Sequence, residues 1–346
     1  MHFYVIKKIK DFKISKLTLI YLVVFTIIII VFFIQKFVTY HFPNNNKIEI
    51  IHSSNYYIAS PEIPKELNFA GERVPLENFD VYESLDRELL VNTFFHSQTI
   101  LSLKRAYRFF PIVEPILKKY QIPDDFKYLL VIESNFTNSI SPAGATGYWQ
   151  FMKGTAQKYG LEMTEEVDER YHLVKSTEAA CKHLKDLFSY YKSWTLAAAA
   201  YNAGTGNIDR VISLQKTKNY YDLHLNEETA RYVFRILAVK IIMTNPKKYG
   251  FYIPDNIKYF PVPTETIQVD SSISDLSSFA LDLGINYKLL RIFNPWLRKY
   301  QLTNKERKVY NIEIPKKEYR NINKLMQLLN LEVKDSLYIN ADSIKQ

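Results

Sequence analysis

Three textures of apolar and polar positions follow one another along the chain. The first is an unbroken apolar run, LTLIYLVVFTIIIIVFFI from Leu17 to Ile34, without a single charge. As a helix rising about 1.5 Å per residue it reaches roughly 27 Å, close to the ~30 Å hydrocarbon core of a bilayer. Extension to Val38 leaves room for tilt, so residues 17–38 are predicted to be a transmembrane anchor. Gln35, Lys36, Phe37 and Tyr40 follow it instead of the small residues of a cleavage site, so the anchor is read as uncleaved. Lys7, Lys8, Lys10, Lys13 and Lys16 precede it and Lys36 alone immediately follows. That asymmetry puts residues 1–16 in the cytoplasm as a basic segment and the rest of the chain outside the membrane, in the periplasm.

Residues 39–84 carry Pro43, Asn44, Asn45, Asn46, Pro61, Pro64 and Pro75 with no sustained period and read as a linker or arm. The second texture is helical. Leu89, Leu90, Phe94, Phe95, Ile100, Leu101 and Leu103 recur at helix spacing, and Ile112 to Tyr120 form another such run. Pro123, Asp124 and Asp125 mark a helix start, since Pro suits a first turn and carboxylates suit the positive end of the dipole. Further helices are predicted near 154–159, 176–191, 195–201, 206–214 and 228–244, the last stopped by Pro246. With no strand pattern among them, residues 85–250 are predicted to be an all-α domain.

The third texture begins after Pro246. TETIQV (264–269) and VYNIEI (309–314) alternate as strands do and enclose helical stretches at 274–283 and 287–293. Residues 260–317 are therefore predicted to be a small βααβ module, with 318–346 as a tail. The expected fold class is mainly α.

Composition narrows the function. Apolar residues make up 47% of the chain and aromatic ones 15%, which excludes a disordered protein. The formal net charge is +9, but the basic clusters sit at 1–16 and at Arg298, Lys299, Lys305, Arg307 and Lys308, both outside the helical domain. A nucleic-acid partner is not expected; the second cluster suits a solvated face or an anionic partner. Cys181 is the only cysteine, so no intramolecular disulfide forms, and the histidines show no ligand-like spacing with carboxylates. No metal or other cofactor is expected.

Glu133 is the candidate for chemistry. It follows the apolar run YLLVI near a predicted helix C-terminus. Lost hydration and the negative end of the dipole both disfavour its charge and raise its pKa. An acid kept protonated near neutrality is what protonation of a glycosidic oxygen requires. Beyond it lie Ser141 to Phe151 (SPAGATGYWQF), Ala199 to Gly204 (AAYNAG) and Glu228 to Val233 (ETARYV).

With a Glu-Ser pair, Gly-x-x-Gln, Ala-Tyr-Asn-Ala-Gly and Glu-Thr-x-x-Tyr-Val in this order, the chain resembles the lysozyme-like lytic transglycosylases over about residues 85–245. Trp149 and Phe151 around Gln150 are in keeping with its membrane-bound murein transglycosylase D branch. The resemblance implies a lysozyme-like catalytic domain acting on peptidoglycan glycan strands, with Glu133 as single catalytic acid and base. It implies Ser134, Gly147, Gln150, Tyr201, Asn202 and Glu228 as the substrate-binding set: Ser134 holding polar groups, Gln150 and Asn202 contacting sugars, Tyr201 orienting Glu133 or the N-acetyl group, and Glu228 lining the cleft. Glycines at 144 and 147 would let the loop backbone approach a ligand. Tyr148 and Trp149 fit either core packing or sugar stacking, while Tyr232 is assigned to packing.

The family's reaction implies closure of a 1,6-anhydro ring on muramic acid at the cleaved MurNAc-GlcNAc β-1,4 bond, without water. A hydrolytic muramidase, with Glu165, Glu166 or Asp168 as second carboxylate, and a non-catalytic wall-binding scaffold stand as alternatives. The module at 260–317 resembles a degenerate LysM domain. Asn294-Pro295 and Ile314-Pro315 are in keeping with that, whereas Asp270-Ser271-Ser272-Ile273 departs from the usual turn. Glycan binding and bracing of the catalytic domain are the two roles expected of it.

Overall fold

The computed structural model describes residues 25–34, 36 and 59–329. Residues 25–34 and 36 are helical (α1). Among the described residues no helix is long and apolar enough to cross a membrane. The remainder of the predicted anchor, the basic segment 1–16, residues 39–58 of the linker and residues 330–346 lie outside the described residues.

From residue 60 on, the chain opens with a two-residue hairpin, β1 (Asn68–Phe69) against β2 (Glu72–Arg73). Ala70 and Gly71 turn it with φ of 53° and 85°, the paired left-handed geometry of the tightest hairpins. This segment is no free linker. Phe69 is fully buried, with its ring 5.2 Å from that of Phe126, and Val74 and Val81 enter the same core.

Two long helices follow, α2 (Phe79–Phe94) and α3 (His96–Lys119). The break between them falls at Phe95, and α3 runs through Pro111 and Pro115, where the sequence suggested a helix ending near 103 and a fresh one starting at 112. Each proline removes one backbone donor without ending the helix. A 3-10 turn (Asp124–Tyr128) leads into the short α4 (Leu129–Ser134), then come α5 (Lys153–Lys158), α6 (Leu173–Tyr191), α7 (Trp194–Ala203), α8 (Thr205–Gln215) and α9 (Glu227–Thr244).

The centre of the helical body is α7. Leu196 and Ala197 to Ala200 are all buried, and side chains this small let α6 and α9 pack closely on both sides. The arm reaches this helix: Glu72 Oε2 accepts from the Thr195 N–H (3.0 Å) and hydroxyl (2.9 Å) and from Ser193 Oγ (3.0 Å), and Glu72 Oε1 from the Trp194 N–H. Glu72 thus caps the first turn of α7, next to the helix's own cap, Ser193. Glu72→Ala is expected to cost about 1–2 kcal/mol, the size of a lost cap, with faster amide exchange at Trp194 and Thr195. On the other flank α2 packs along α9, where the buried Glu88 receives Arg231 Nε at 2.6 Å and Arg87 Nη1 at 2.7 Å.

The C-terminal module is βααβ as expected: β3 (Thr264–Val269), α10 (Leu276–Asp282), α11 (Tyr287–Phe293) and β4 (Tyr310–Pro315). The strands pair antiparallel from Thr264↔Pro315 to Val269↔Tyr310. Fully buried Asn294 locks the end of α11 to β4, donating to the Glu313 carbonyl at 2.7 Å and accepting from its N–H at 2.8 Å. A last helix, α12 (Ile322–Leu328), lies where a tail was expected.

Candidate active site

Glu133 occupies the last turn of α4, a helix whose Leu129 and Leu130 are wholly buried. Asn135 and Phe136 end it in left-handed conformation, with φ of 47° and 57°. Asn tolerates that region better than most residues. Ser102 Oγ donates to Asn135 Oδ1 at 2.7 Å and Arg105 to the Asn135 carbonyl at 2.9 Å, so α3 fixes the turn that presents Glu133.

One face of α9 opposes this turn. Glu228, Tyr232 and Arg235 are four and three residues apart and so share a face. The Tyr232 hydroxyl donates to Glu133 Oε1, and Arg235 Nη2 donates to the Ile132 carbonyl at 2.9 Å. Burial pushes the Glu133 carboxyl up to about 7. The Tyr232 hydrogen bond and the Arg235 charge oppose that rise, and the Glu228 charge adds to it. Burial also holds the Tyr232 and Tyr201 phenols far above their ordinary range, so both stay protonated donors.

The sequence-derived set divides here. Asn202, at the end of α7, donates to Glu228 Oε1 at 3.1 Å and accepts from Thr229 Oγ1 at 2.9 Å, which brings Asn202 and Glu228 together beside Glu133's partner helix. Gln150 is left-handed (φ 50°) and spends its amide nitrogen on the Gly147 carbonyl (2.8 Å) and the Ser139 carbonyl (3.1 Å). Tyr201 does not hold Glu133: its hydroxyl donates to the Trp149 carbonyl at 2.8 Å and so fixes the peptide leading into Gln150.

Ser134 is buried, with its hydroxyl donating to the Tyr148 (2.8 Å) and Leu130 (3.1 Å) carbonyls, and ties α4 to the loop that carries Gln150. Gly147 is also inward. A Cβ there would lie 2.0 Å from the Arg170 carbonyl oxygen, so the close approach that needs glycine is to protein backbone and not to ligand. Trp149 is fully buried, its indole donating to Thr177 Oγ1 at 2.9 Å, and Tyr148 is nearly so; both are core. Tyr232, assigned to packing on its sequence, is the residue bonded to the catalytic candidate. Its spacing from Glu228 in Glu-Thr-x-x-Tyr was the available signal.

Residues 112–224 match the family model described as the transglycosylase SLT domain. The chain carries an SLT transglycosylase domain. Residues 265–318 match the model of the soluble lytic transglycosylase C-terminal LysM-like domain. Membrane-bound lytic murein transglycosylase D of Escherichia coli, from strains K12 and O6:H1, is 29% identical over 235 residues, which is 65% of this chain and 50% of the relative. The chain thus spans about half the length of these relatives. A solved inactive mutant of lytic transglycosylase Slt from Pseudomonas aeruginosa superposes with TM-score 0.34 at 21% identity, covering 44% of this chain and 26% of that one. The hairpin, α2 and α9 lie outside the matched segment of the SLT domain yet complete its core, and α9 supplies the face opposite Glu133.

Tyr232→Phe removes the donor that steadies the Glu133 carboxylate. Its kcat is expected to fall about 10- to 100-fold, the equivalent of the ~1.5–3 kcal/mol of a hydrogen bond to a charged group. The alkaline limb of kcat/KM should move to higher pH, because that bond lowers the carboxyl's pKa. A pH-rate profile reads both.

Proposed function

We propose that this chain is a peptidoglycan lytic transglycosylase that cleaves the MurNAc-GlcNAc β-1,4 bond and leaves 1,6-anhydro-MurNAc ends. The observation that carries the reading is Glu133: a carboxyl raised to about 7 by burial, held by a tyrosine hydroxyl. Such a group can donate a proton near neutral pH and then accept one.

Glu133 protonates the glycosidic oxygen as the bond to muramic acid C1 breaks, with the substrate's own N-acetyl group assisting at C1. The resulting carboxylate is stabilised by Tyr232 and Arg235. It then takes the proton of the C6 hydroxyl as that oxygen closes on C1, and the enzyme returns to its starting protonation state. An intramolecular nucleophile has a large effective concentration. Gln150, its nitrogen engaged by the loop, offers its carbonyl oxygen to a sugar N–H or O–H, and Asn202 and Glu228 offer polar contacts from the other side.

A hydrolase would need a second carboxylate near the scissile bond. Asp168 is committed to Arg170 at 2.7 Å and Glu166 to Gln301 and Thr303 in the C-terminal module. Glu228 is the carboxylate whose charge reaches Glu133, so it is the residue on which a hydrolytic reading would rest. We further propose membrane anchorage through residues 17–38 with the remainder in the periplasm, supported by the uncharged run from Leu17 to Ile34 and by the membrane-bound relative.

Digestion of purified sacculi, followed by mass spectrometry of the released fragments, tests the reading. Anhydro-ended muropeptides that disappear with Glu133→Gln are expected. Reducing-end muramic acid products would make the chain a hydrolase, and no release by a folded protein would make it a scaffold.

A further inference from the structure

The LysM-like module does not stand apart from the SLT domain. Residues 166–168 pair with 296–298 as a short antiparallel strand: Asp168 N–H donates to the Trp296 carbonyl at 2.9 Å, Arg298 N–H to the Glu166 carbonyl at 2.7 Å, and Val167 bridges Leu297. Val167 and Tyr171 are buried in the module's own core. Glu166 adds a clasp, accepting from Gln301 Nε2 at 2.9 Å and from the Thr303 N–H at 2.5 Å and hydroxyl at 3.1 Å.

Two residues beyond this strand lies Arg170. Its Nε and Nη2 grip the Asp168 carboxylate at 3.0 and 2.7 Å, and its Nη1 donates to the Phe151 carbonyl at 3.3 Å and approaches the Gly144 carbonyl at 3.5 Å. Its own carbonyl is the atom against which Gly147 packs. Arg170 therefore holds both ends and the middle of the loop that carries Gln150. Both members of the Asp168–Arg170 pair are mostly buried, at 12% and 14% side-chain exposure, so solvent screens the contact little.

We propose that Arg170 is a positioning residue for the substrate loop 144–151, and that the LysM-like module acts through it by fixing the strand on which Asp168 and Arg170 sit. That this loop meets the substrate rests on the function proposed above. The physical basis is geometric. A planar guanidinium can hold a carboxylate with one edge and a carbonyl with another, whereas the single ammonium of lysine cannot span them.

The test uses the full chain and four variants, Arg170→Ala, Arg170→Lys, Glu166→Ala and the double variant Glu166→Ala with Arg170→Ala, with amide exchange over residues 144–151 and steady-state kinetics on soluble glycan strands. Arg170→Ala is expected to speed exchange at Thr146, Gly147 and Phe151 at least tenfold and to raise KM about tenfold with kcat changed less than threefold, while Arg170→Lys recovers part of both. Glu166→Ala, which opens the clasp without entering either core, is expected to speed exchange in the same loop, and no further once Arg170 is already Ala. Unchanged loop exchange in Arg170→Ala would overturn the positioning role, as would lower thermal stability with KM unchanged. Unchanged loop exchange in Glu166→Ala would overturn the module's part. A chain that cuts no glycan would leave the exchange results standing, so failure of the functional reading is distinguishable from failure of this one.

Discussion

Glu133→Gln is expected to abolish glycan cleavage and at the same time make the protein more stable above neutral pH. On the mechanism proposed above, loss of the general acid and base costs about 10²–10⁴-fold in rate at the least, and more where one group serves both steps. The stability gain follows from proton linkage. The unfolded chain gives up the Glu133 proton near 4.5 and the native protein only near 7. Between these values the native state binds more protons, so its stability falls as pH rises, and the cost is complete above about 7. A shift of this size corresponds to at most about 3 kcal/mol; the partly open position of Glu133 brings the expected figure to about 1–3 kcal/mol. Glutamine is neutral at every pH and its carbonyl can still accept from Tyr232. Urea melts at about pH 8 should therefore favour the variant, and the advantage should vanish below about pH 4.5. Equal stability at all pH values would mean that Glu133 is not held in a desolvated site.

Phe69→Ala is expected to cost about 3–5 kcal/mol, as full truncation of a buried aromatic does. Phe69 precedes the segment read from sequence as the catalytic domain and is fully buried against Phe126, whose ring in turn meets Trp194 at 5.1 Å. Phe126 sits in the turn before α4 and Trp194 opens α7, so this cluster joins the arm to the two elements that carry Glu133 and Tyr201. Activity should fall with stability, with a lower urea midpoint as the direct readout. A change below about 0.5 kcal/mol, the range of surface substitutions, would mean that the arm is a mere tether.

The periodic elements were legible in the sequence. The βααβ boundaries, α6, α8 and α9 lie within a few residues of the predicted ones, and α6 and α9 follow the apolar spacing because each buries many residues along its length. The arm was not legible: β1 and β2 have two residues each, too short for any alternation, and the turn signal at Ala70-Gly71 is a single glycine. The site was half legible. Glu133 could be found because apolar neighbours in sequence are also its neighbours in space. Gln150, Asn202 and Glu228 came with the motifs. The inward roles of Ser134 and Gly147 depend on Tyr148 and on Arg170, partners 14 and 23 residues away, and no local pattern reports such contacts. The Tyr232 bond to Glu133 was illegible for a related reason: a tyrosine followed by Val233, Phe234, Ile236 and Leu237 on a helix reads as core, which it also is, until the end of α4 is placed opposite it.

Digestion of peptidoglycan in heavy-oxygen water tests the central claim most directly. If Glu133 works alone and the muramic acid C6 hydroxyl closes on C1, the muramic acid ends of the released fragments carry no heavy oxygen and each is lighter by one water than a hydrolysed end. Heavy oxygen at those ends, dependent on Glu133, would contradict the account and assign the chain to hydrolysis with a second carboxylate.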